Sequence, residues 1–365
     1  MISKVSFRSF KSLREVDIDF SSRLTVLVGP NASGKTSVLQ GISLTTKVMS
    51  HSELAVDVSS DLLCKLARSG PQIRVEVVQQ SEGAAETIAV QSETLMKALG
   101  RPRQRFVLTW ADKKLLKEGF LMPSLGDAAP IYRFHVDSLS QPAVPGSLAM
   151  DADGRGLAAT LADIATSDPL RLAQIIDALR KVIPVVKQVR LLPVDVRRSV
   201  ATTDPAGNPI QEEQVQRGYR LAFDLRGAER VPVEQVSEGT LLTLGWLTAV
   251  MAHEGRWLFL LDDIDRGLHP KAQRELVGIL RSLLEQNPNY QIIATTHSPY
   301  LLDLLTPEEV RIVSAAEDGA TLCGTLMEHP EFARWKDLML PGEMWSTVGE
   351  EWLRDQRAKQ DASAQ

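Results

Sequence analysis

The chain has 365 residues, of which 44% are hydrophobic and 24% are charged, and its formal net charge is −5. These values are typical of a soluble globular protein with one large domain or two small ones. The negative charge argues against a protein that coats nucleic acid through its overall charge, so DNA binding would need a local basic patch.

The cysteines and the apolar runs exclude further classes of protein. Cys64 and Cys323 are the only cysteines, and neither lies in a metal-ligand pattern, so we expect no disulfide framework and no structural zinc. The chain has no uninterrupted run of about 18 apolar residues, and its alternating start MISKVSFRSFKSL lacks the apolar core of a signal peptide. We therefore predict a cytoplasmic protein with no membrane partner.

The N-terminal half predicts strands, then a helix, then more strands and helices. Alternating segments predict strands up to Val28 and again between residues 72 and 110, where they indicate an antiparallel subdomain. A helix is expected from about Lys35 to Val48. Residues 154–182 predict two helices that meet near Asp168, and the polar stretch 201–216 predicts an exposed loop.

The C-terminal half alternates between apolar strands and helices. This alternation is the pattern of a mostly parallel α/β sheet. The predicted elements are the strand GYRLAFDLR, a helix from about Thr240, the strand WLFLLD, a helix from Pro270, the strand QIIATT and a helix from Pro299.

The segment GPNASGKTS matches the phosphate-loop pattern G-x-x-x-x-G-K-[ST] without a mismatch. It lies between a predicted strand and a predicted helix, where backbone N–H groups cradle phosphate oxygens. Lys35 is expected to reach the β- and γ-phosphates of ATP, and Thr36 to offer its hydroxyl to Mg²⁺. A glycine-rich turn that binds nothing is the alternative. The predicted ATP-binding residues of this segment are Gly29, Pro30, Asn31, Ala32, Ser33, Gly34, Lys35, Thr36 and Ser37.

Two adjacent carboxylates follow the apolar run WLFLL. This is typical of a Walker B strand end, where consecutive side chains point in different directions. Asp262 is expected to bind Mg²⁺, and Asp263 to face the γ-phosphate and its attacking water, with a solvated Asp263 as the alternative. His297 follows the strand QIIATT and is predicted to face the same crevice. A purely structural histidine is the alternative there.

The segment VSEGTLLTLGWL predicts another helix N-terminus suited to an anion. Ser237 is expected to cap the helix or bind a ligand, and Gly239 to allow a close backbone approach. Taken alone, the segment is also compatible with an ordinary helix cap.

The order of GPNASGKTS, VSEGT, LLDDIDRGLHP and TTHSP resembles that of the ABC-type ATPase heads of the SMC, RecF and OLD families. The chain most resembles the short, arm-less AAA-type ATPases related to OLD, in which a GLHP-like turn follows the acidic strand. The opening VSFRSFKSLREVDIDF and the closing HPEFARWKDLMLPGEMWSTVGEEWL are similar as well. The implied fold is an α/β P-loop NTPase head, with a mostly parallel sheet flanked by helices, an antiparallel β subdomain and an inserted helical subdomain.

The resemblance implies an ATP-driven homodimer with ATP and Mg²⁺ as cofactors. Each nucleotide would lie between the phosphate loop of one subunit and Ser237 and Gly239 of the other. His297 matches the switch histidine that senses the γ-phosphate, so ATP would join the two chains and hydrolysis would release them. Gln141 is a weak candidate for the family's glutamine between lobes, and Gln79 a weaker one.

The resemblance also implies how the chain is divided. We expect a single ATPase domain over residues 1–350 and a frayed tail over residues 355–365. No Toprim nuclease domain is expected, because only residues 298–365 follow the switch histidine. The expected parts are a phosphate-loop lobe with antiparallel strands (1–135), a helical insertion and loop (150–215), a lobe with the signature, Walker B and switch histidine (216–327) and a C-terminal helical tail (328–354).

Asp263 departs from the family pattern, in which glutamate follows the Walker B aspartate. Reference pKa values of about 3.9 for aspartate and about 4.3 for glutamate leave both ionised at neutral pH. The two side chains differ in reach, and a misplacement of about 1 Å can cost about 10²-fold in rate. We therefore expect slow ATP hydrolysis and a long-lived ATP-bound dimer.

Three functions compete. The favoured one is an ATPase switch for a separately encoded effector, such as a nuclease or Toprim-like protein, in bacterial defence or genome maintenance. The alternative is a RecF-like repair protein that binds DNA with ATP; the basic runs at 101–105 and 195–198 would contact phosphates in that case and are otherwise solvated surface. A transporter motor fits poorly, because Ser237 is followed by glutamate and not by the glycine of an LSGGQ-type signature.

Overall fold

The computed structural model describes residues 1–20, 22–49, 74–81, 84–96, 102–110, 129–146, 150–203, 209–252 and 255–363. The chain divides into two compact units. Unit 1 contains residues 1–131, 255–265 and 280–365, and unit 2 contains residues 132–254 and 266–279. The expected bounds of a single ATPase domain stay a prediction.

The strands of the described residues are β1 (Ile2–Phe10), β2 (Leu13–Asp19), β3 (Leu24–Val28), β4 (Arg74–Ser81), β5 (Ala84–Met96), β6 (Pro102–Trp110), β7 (Ile131–Tyr132), β8 (Val186–Thr203), β9 (Pro209–Leu225), β10 (Ala228–Pro232), β11 (Leu258–Leu261), β12 (Gln291–Thr296), β13 (Val310–Ala315) and β14 (Thr321–Thr325). The α-helices are α1 (Lys35–Met49), α2 (Val136–Leu139), α3 (Leu157–Ser167), α4 (Pro169–Val182), α5 (Glu238–Met251), α6 (Pro270–Gln286), α7 (Pro299–Leu302), α8 (Phe332–Trp335), α9 (Pro341–Val348) and α10 (Glu351–Ser363).

The central sheet of unit 1 is mostly parallel. Its strands follow the order β14-β13-β3-β12-β11-β7. Strands β13, β3, β12 and β11 pair parallel to one another, and β14 pairs antiparallel to β13. Every residue of β3, β11 and β12 is buried, which suits parallel strands that are covered on both faces. In the register, Thr296 lies opposite Val28 and Leu261 lies opposite Ala294. The segments that follow β3, β11 and β12 therefore start at the same edge of the sheet.

The second sheet of unit 1 is antiparallel and has the order β2-β1-β4-β5-β6. This confirms the antiparallel subdomain predicted between residues 72 and 110. Phe7 and Phe10 of β1 are fully buried in one hydrophobic cluster with Val38 and Ile42 of α1. Burial of these side chains holds the helix that follows the phosphate loop against the strands, since apolar area removed from water stabilises by about 25 cal/mol per Å².

Unit 2 contains the inserted helices, as predicted. Helices α3 and α4 meet at Asp168, whose carboxylate accepts the backbone N–H of Arg171 and so caps α4. In α5, residues 239–250 are all buried. Together with the parallel sheet and the antiparallel subdomain, these helices confirm the predicted α/β fold class. Among the helices of the described ranges, none is both long and apolar enough to cross a membrane.

The loop predicted at residues 201–216 is wrong for the residues that are described there. Strands β8 and β9 pair antiparallel from Val186 opposite Leu225 to Thr203 opposite Pro209, and residues 204–208 lie outside the description. The helices of the insertion end at Val182, as the sequence predicted, and β8 starts at Val186. The polar composition was misleading because residues 213–215 are exposed, and a strand exposed on both faces tolerates polar side chains.

Candidate active site

The phosphate loop joins β3 to α1 and lies against the sheet. A Cβ atom at Gly29 would lie 1.9 Å from the carbonyl oxygen of Val313, so only glycine allows this approach of the loop to β13. The hydroxyl of Thr321 in β14 lies 3.0 Å from the carbonyl oxygen of Ser33 and 2.8 Å from Ser12 Oγ. Two neighbouring strands of the sheet thus fix the shape of the loop.

The side chain of Lys35 folds back onto the phosphate loop. Its Nζ donates to the carbonyl oxygens of Gly29 and Pro30, each at 2.9 Å, and its side chain is buried. Burial lowers the pKa of Lys35 from its usual value, while the negative charges of Asp263 and Asp262 act in the opposite direction. A second negative partner, such as a nucleotide phosphate, would favour the protonated form further.

Thr36 and Asp262 meet at the carboxyl edge of the sheet. Thr36 Oγ1 lies 3.1 Å from Asp262 Oδ2 and 3.3 Å from Oδ1, and Asp262 is 2% exposed. A hydroxyl and a carboxylate are oxygen donors of the kind that Mg²⁺ prefers, and this ion commonly takes only one or two protein ligands beside waters and substrate phosphates. The pair therefore fits the predicted ion, which would supply positive charge to neutralise the phosphates.

Thr295 contacts both Asp262 and Asp263, and this role was missed in the sequence. Its hydroxyl donates to Asp262 Oδ1 at 2.7 Å and accepts the backbone N–H of Asp263 at 2.8 Å. Thr295 is fully buried. The signal in the sequence was the pair Thr295 and Thr296 at the end of a buried strand, but the partners follow only from the pairing of β11 with β12.

Asp263 and His297 face each other from adjacent strand ends. His297 Nε2 lies 3.7 Å from Asp263 Oδ1, and both side chains are about one third exposed, at 37% and 31%. Asp263 has φ = 57°, a left-handed conformation that aspartate tolerates better than most residues. This turn of the backbone sends the side chains of Asp262 and Asp263 in different directions, as the sequence predicted. The catalytic roles of Asp263 and His297 stay predictions.

The signature residues Ser237 and Gly239 lie in unit 2, at the start of α5. Ser237 caps the helix, because its Oγ accepts the backbone N–H of Thr240 at 3.4 Å, and the residue is exposed. A Cβ at Gly239 would lie 2.4 Å from the carbonyl oxygen of Gly267, so glycine is required here by packing inside unit 2. Arg266, next to Gly267, forms an ion pair with Glu238 at 2.8 Å. Binding of a nucleotide by Ser237 and Gly239 stays a prediction.

The glutamine between lobes is not located. Gln141 is exposed, and its backbone N–H donates to the carbonyl oxygen of Ser138. Gln79 lies on β4, and its side chain falls outside the described residues. Both assignments stay predictions.

Two ATPase domain models match the sequence. One, described as "AAA ATPase domain", matches residues 1–87, and the other, described as "AAA domain, putative AbiEii toxin, Type IV TA system", matches residues 160–303. Both are models of AAA-type ATPase domains. The first match contains the phosphate loop, and the second contains the signature, the Walker B aspartates and His297. Both matches support the prediction of an ATPase.

Curated relatives share short segments with this chain. A DNA replication and repair protein RecF of Roseiflexus castenholzii is 28% identical over 100 residues, 24% of this chain and 25% of that protein. The Retron Vc95 probable ATPase of Vibrio cholerae is 40% identical over 60 residues, 16% of this chain and 11% of that protein. These matches thus span a quarter or less of the relatives' own lengths. The SMC head domain from Thermotoga maritima is a similar structure, with 16% identity and a TM-score of 0.46 over 89% of this chain and 98% of that one.

Proposed function

We propose that this AAA ATPase is a cytoplasmic switch that dimerises on Mg²⁺-ATP and hydrolyses it slowly, and that it belongs to the OLD-like group. The observation that carries the proposal is the meeting of Lys35, Thr36, Asp262, Asp263 and His297 at one sheet edge of unit 1. The GLHP turn after the Walker B strand supports the OLD-like assignment.

Each residue of this edge has a chemical role in the proposal. The loop N–H groups and Lys35 bind the phosphates, and Thr36 and Asp262 hold Mg²⁺. Asp263 accepts a hydrogen bond from the attacking water and aligns it with the γ-phosphorus. His297 donates to a γ-phosphate oxygen. In phosphoryl transfer such positioning and charge stabilisation supply most of the rate.

Dimerisation completes the site in the proposal. The exposed Ser237 at the N-terminus of α5 would bind the γ-phosphate held by the second copy, because a helix N-terminus attracts anions. The assembly state would then follow the nucleotide state, since a ligand that binds only the dimer shifts the equilibrium by mass action.

Analytical ultracentrifugation of the full chain tests the switch. Asp263→Asn, which should retain ATP, is expected to sediment as a dimer with Mg²⁺-ATP and as a monomer with Mg²⁺-ADP. Ser237→Arg in the same background should stay monomeric, whereas Ser167→Arg, at an exposed serine at the end of α3, should dimerise normally. A chain that is monomeric with both nucleotides would rule out the proposal.

The output of the switch is proposed to be a separately encoded effector. One similar protein is named as the probable ATPase of a retron, which supports an ATPase that acts together with another component. Products of neighbouring genes, co-expressed with the ATPase, should co-purify with Asp263→Asn in Mg²⁺-ATP and dissociate when ATP is replaced by ADP. Co-purification of the partner to the same extent with ATP and with ADP would contradict a switch.

Similarity to RecF, a DNA replication and repair protein, keeps DNA binding as the second candidate. Arg197 on β8 is exposed, in the basic run that the sequence indicated. This candidate predicts that fluorescence anisotropy detects duplex DNA binding only with ATP, with an affinity that falls steeply with salt. The absence of binding at low salt would leave the effector switch as the function.

A further inference from the structure

Asp265 contacts the last residue of β12 and the first residue of the link to α7. Its Oδ1 accepts the hydroxyl of Thr296 at 2.6 Å and the backbone N–H of His297 at 3.2 Å. Thr296 is fully buried, and its Oγ1 also accepts the backbone N–H of Ser298 at 3.0 Å. One carboxylate oxygen and one hydroxyl thus tie together three consecutive residues.

These bonds continue a line of contacts that starts at the Walker B strand. The N–H of Asp263 donates to Thr295 Oγ1, and the N–H of Ile264 donates to the carbonyl oxygen of Thr295 at 3.1 Å. Asp265 then takes the next position, opposite Thr296 and His297. Residues 262–265 therefore lie beside the end of β12, which is at Thr296. Their hydrogen bonds to Thr295 and Thr296 hold this end of the strand in place.

His297 is consequently held from two directions. Asp263 faces its imidazole, with 3.7 Å between Oδ1 and Nε2, and Asp265 holds its backbone N–H. A backbone fixed at this point limits where the imidazole can reach. The carboxylate of Asp265 also favours the protonated form of Lys35 by its charge, so its hydrogen bonds must be tested separately from its charge.

We propose that Asp265 is a positioning residue, which holds the backbone of His297 so that the imidazole stays within reach of Asp263 and of the γ-phosphate. The inference rests on the proposed role of His297 in ATP hydrolysis. Its effect falls on the hydrolysis rate and not on ATP affinity, because Asp265 bonds to the histidine segment and not to the phosphate loop. Loss of the bonds lets His297 move, and a displacement of about 1 Å costs about 10²-fold when catalysis depends on positioning.

The test is a double-mutant cycle on the full chain, with kcat for ATP from steady-state kinetics and Kd for a fluorescent ATP analogue. Asp265→Ala should lower kcat about 10- to 100-fold and change Kd less than about twofold. Asp265→Asn keeps an acceptor oxygen but loses the charge, and should stay within a few-fold of the wild-type kcat. The double variant Asp265→Ala, His297→Ala should be no slower than His297→Ala alone. Asp337→Ala, at an exposed aspartate of unit 1, is the control and should match the wild type.

Three results would overturn the inference: an unchanged kcat in Asp265→Ala, an Asn variant as slow as the Ala variant, or the same fold-loss from Asp265→Ala with and without His297. If Asp265→Ala does not fold, Thr296→Val replaces it, with Thr296→Ser as its control. Failure of the proposed function looks different, because the wild type itself would then neither hydrolyse ATP nor dimerise with it. A wild-type kcat in His297→Ala would show that the histidine has no role in hydrolysis and would overturn the inference as well.

Discussion

Thr295 donates its hydroxyl to Asp262 at 2.7 Å, from the neighbouring parallel strand. The same oxygen accepts the backbone N–H of Asp263 at 2.8 Å, so one side chain contacts the carboxylate of Asp262 and the backbone of Asp263. Since Asp262 is also 3.1 Å from Thr36, the orientation of the predicted Mg²⁺ ligands depends on Thr295, a residue of TTHSP to which the sequence assigned no role.

Thr295→Val should lower kcat about tenfold, because loss of a hydrogen bond worth about 1–1.5 kcal/mol releases Asp262. The apparent Mg²⁺ affinity in the ATPase assay should fall as well. Thr295→Ser retains the hydroxyl and should restore most of the rate. Valine and serine variants with equal rates would contradict this role of the hydroxyl.

Asp263→Glu should hydrolyse ATP faster than the wild type, by up to about 10²-fold, because glutamate reaches further towards the attacking water. Its melting temperature should fall, since the left-handed backbone at residue 263 costs about 1–2 kcal/mol for a longer side chain. Asp263→Asn should be slower than the wild type. Phosphate-release assays and thermal melts measure both effects, and equal rates in all three proteins would remove the catalytic assignment of Asp263.

Gly239→Ala should destabilise the protein by about 1–3 kcal/mol, because the new methyl group would overlap the carbonyl oxygen of Gly267. Gly278→Ala is a matched control in α6, where a Cβ has no neighbour within 4 Å. That change should stabilise by roughly 0.5–1 kcal/mol through helix propensity. Urea denaturation measures the free energy of unfolding of both variants. An unchanged value for Gly239→Ala would show that the backbone near Gly267 shifts at little energetic cost.

Gln291→Met should lower stability by about 3 kcal/mol. The amide of Gln291 accepts the N–H of Ile2 and donates to the carbonyl oxygens of Ile2 and Phe20, all between 2.8 and 3.1 Å and all buried. Methionine fills a similar volume but leaves these groups unpaired, at about 1–3 kcal/mol for a buried polar group. Gln286→Met, at an exposed position of α6, should be nearly neutral in the same denaturation experiment.

Asp224 should make stability depend on pH. Its hydrogen bonds to Arg190, at 2.7 and 2.8 Å, lower the pKa of Asp224, and the N–H of Arg230 adds to the effect. The ionised carboxylate therefore stabilises the fold above its unfolded pKa of about 3.9, and this contribution is lost as the pH falls through the lower folded pKa. The difference in melting temperature between wild type and Asp224→Asn should be largest near pH 7 and should shrink below about pH 4. A difference that stays constant down to pH 2 would contradict the assignment.

The parts of the site that short motifs encode could be predicted from the sequence. The phosphate loop needs only local spacing between a strand and a helix, and the Walker B pair needs only the end of a buried strand. Thr295 and Asp265 could not be assigned, because their partners depend on the pairing of strands that lie apart in sequence.

The long pair of strands β8 and β9 could not be predicted from local composition. A polar stretch with prolines and glycine was interpreted as a loop along its whole length, although β8 extends to Thr203 and β9 starts at Pro209. Polar residues such as those at 213–215 carry no strand signal when both faces of a strand meet water. The length of such a two-stranded pair is set by the hydrogen bonds between its strands and not by hydrophobic periodicity.

The register of the central sheet has a consequence for how the protein is made. Strand β3, which leads into the phosphate loop, pairs with β12 through Val28 opposite Thr296 and with β13 through Val28 opposite Ile312. Nearly the whole chain must therefore emerge from the ribosome before the first nucleotide-binding segment has both neighbours. Contacts between such distant segments form slowly, so an unfinished chain cannot complete its own nucleotide site and cannot enter the ATP cycle early.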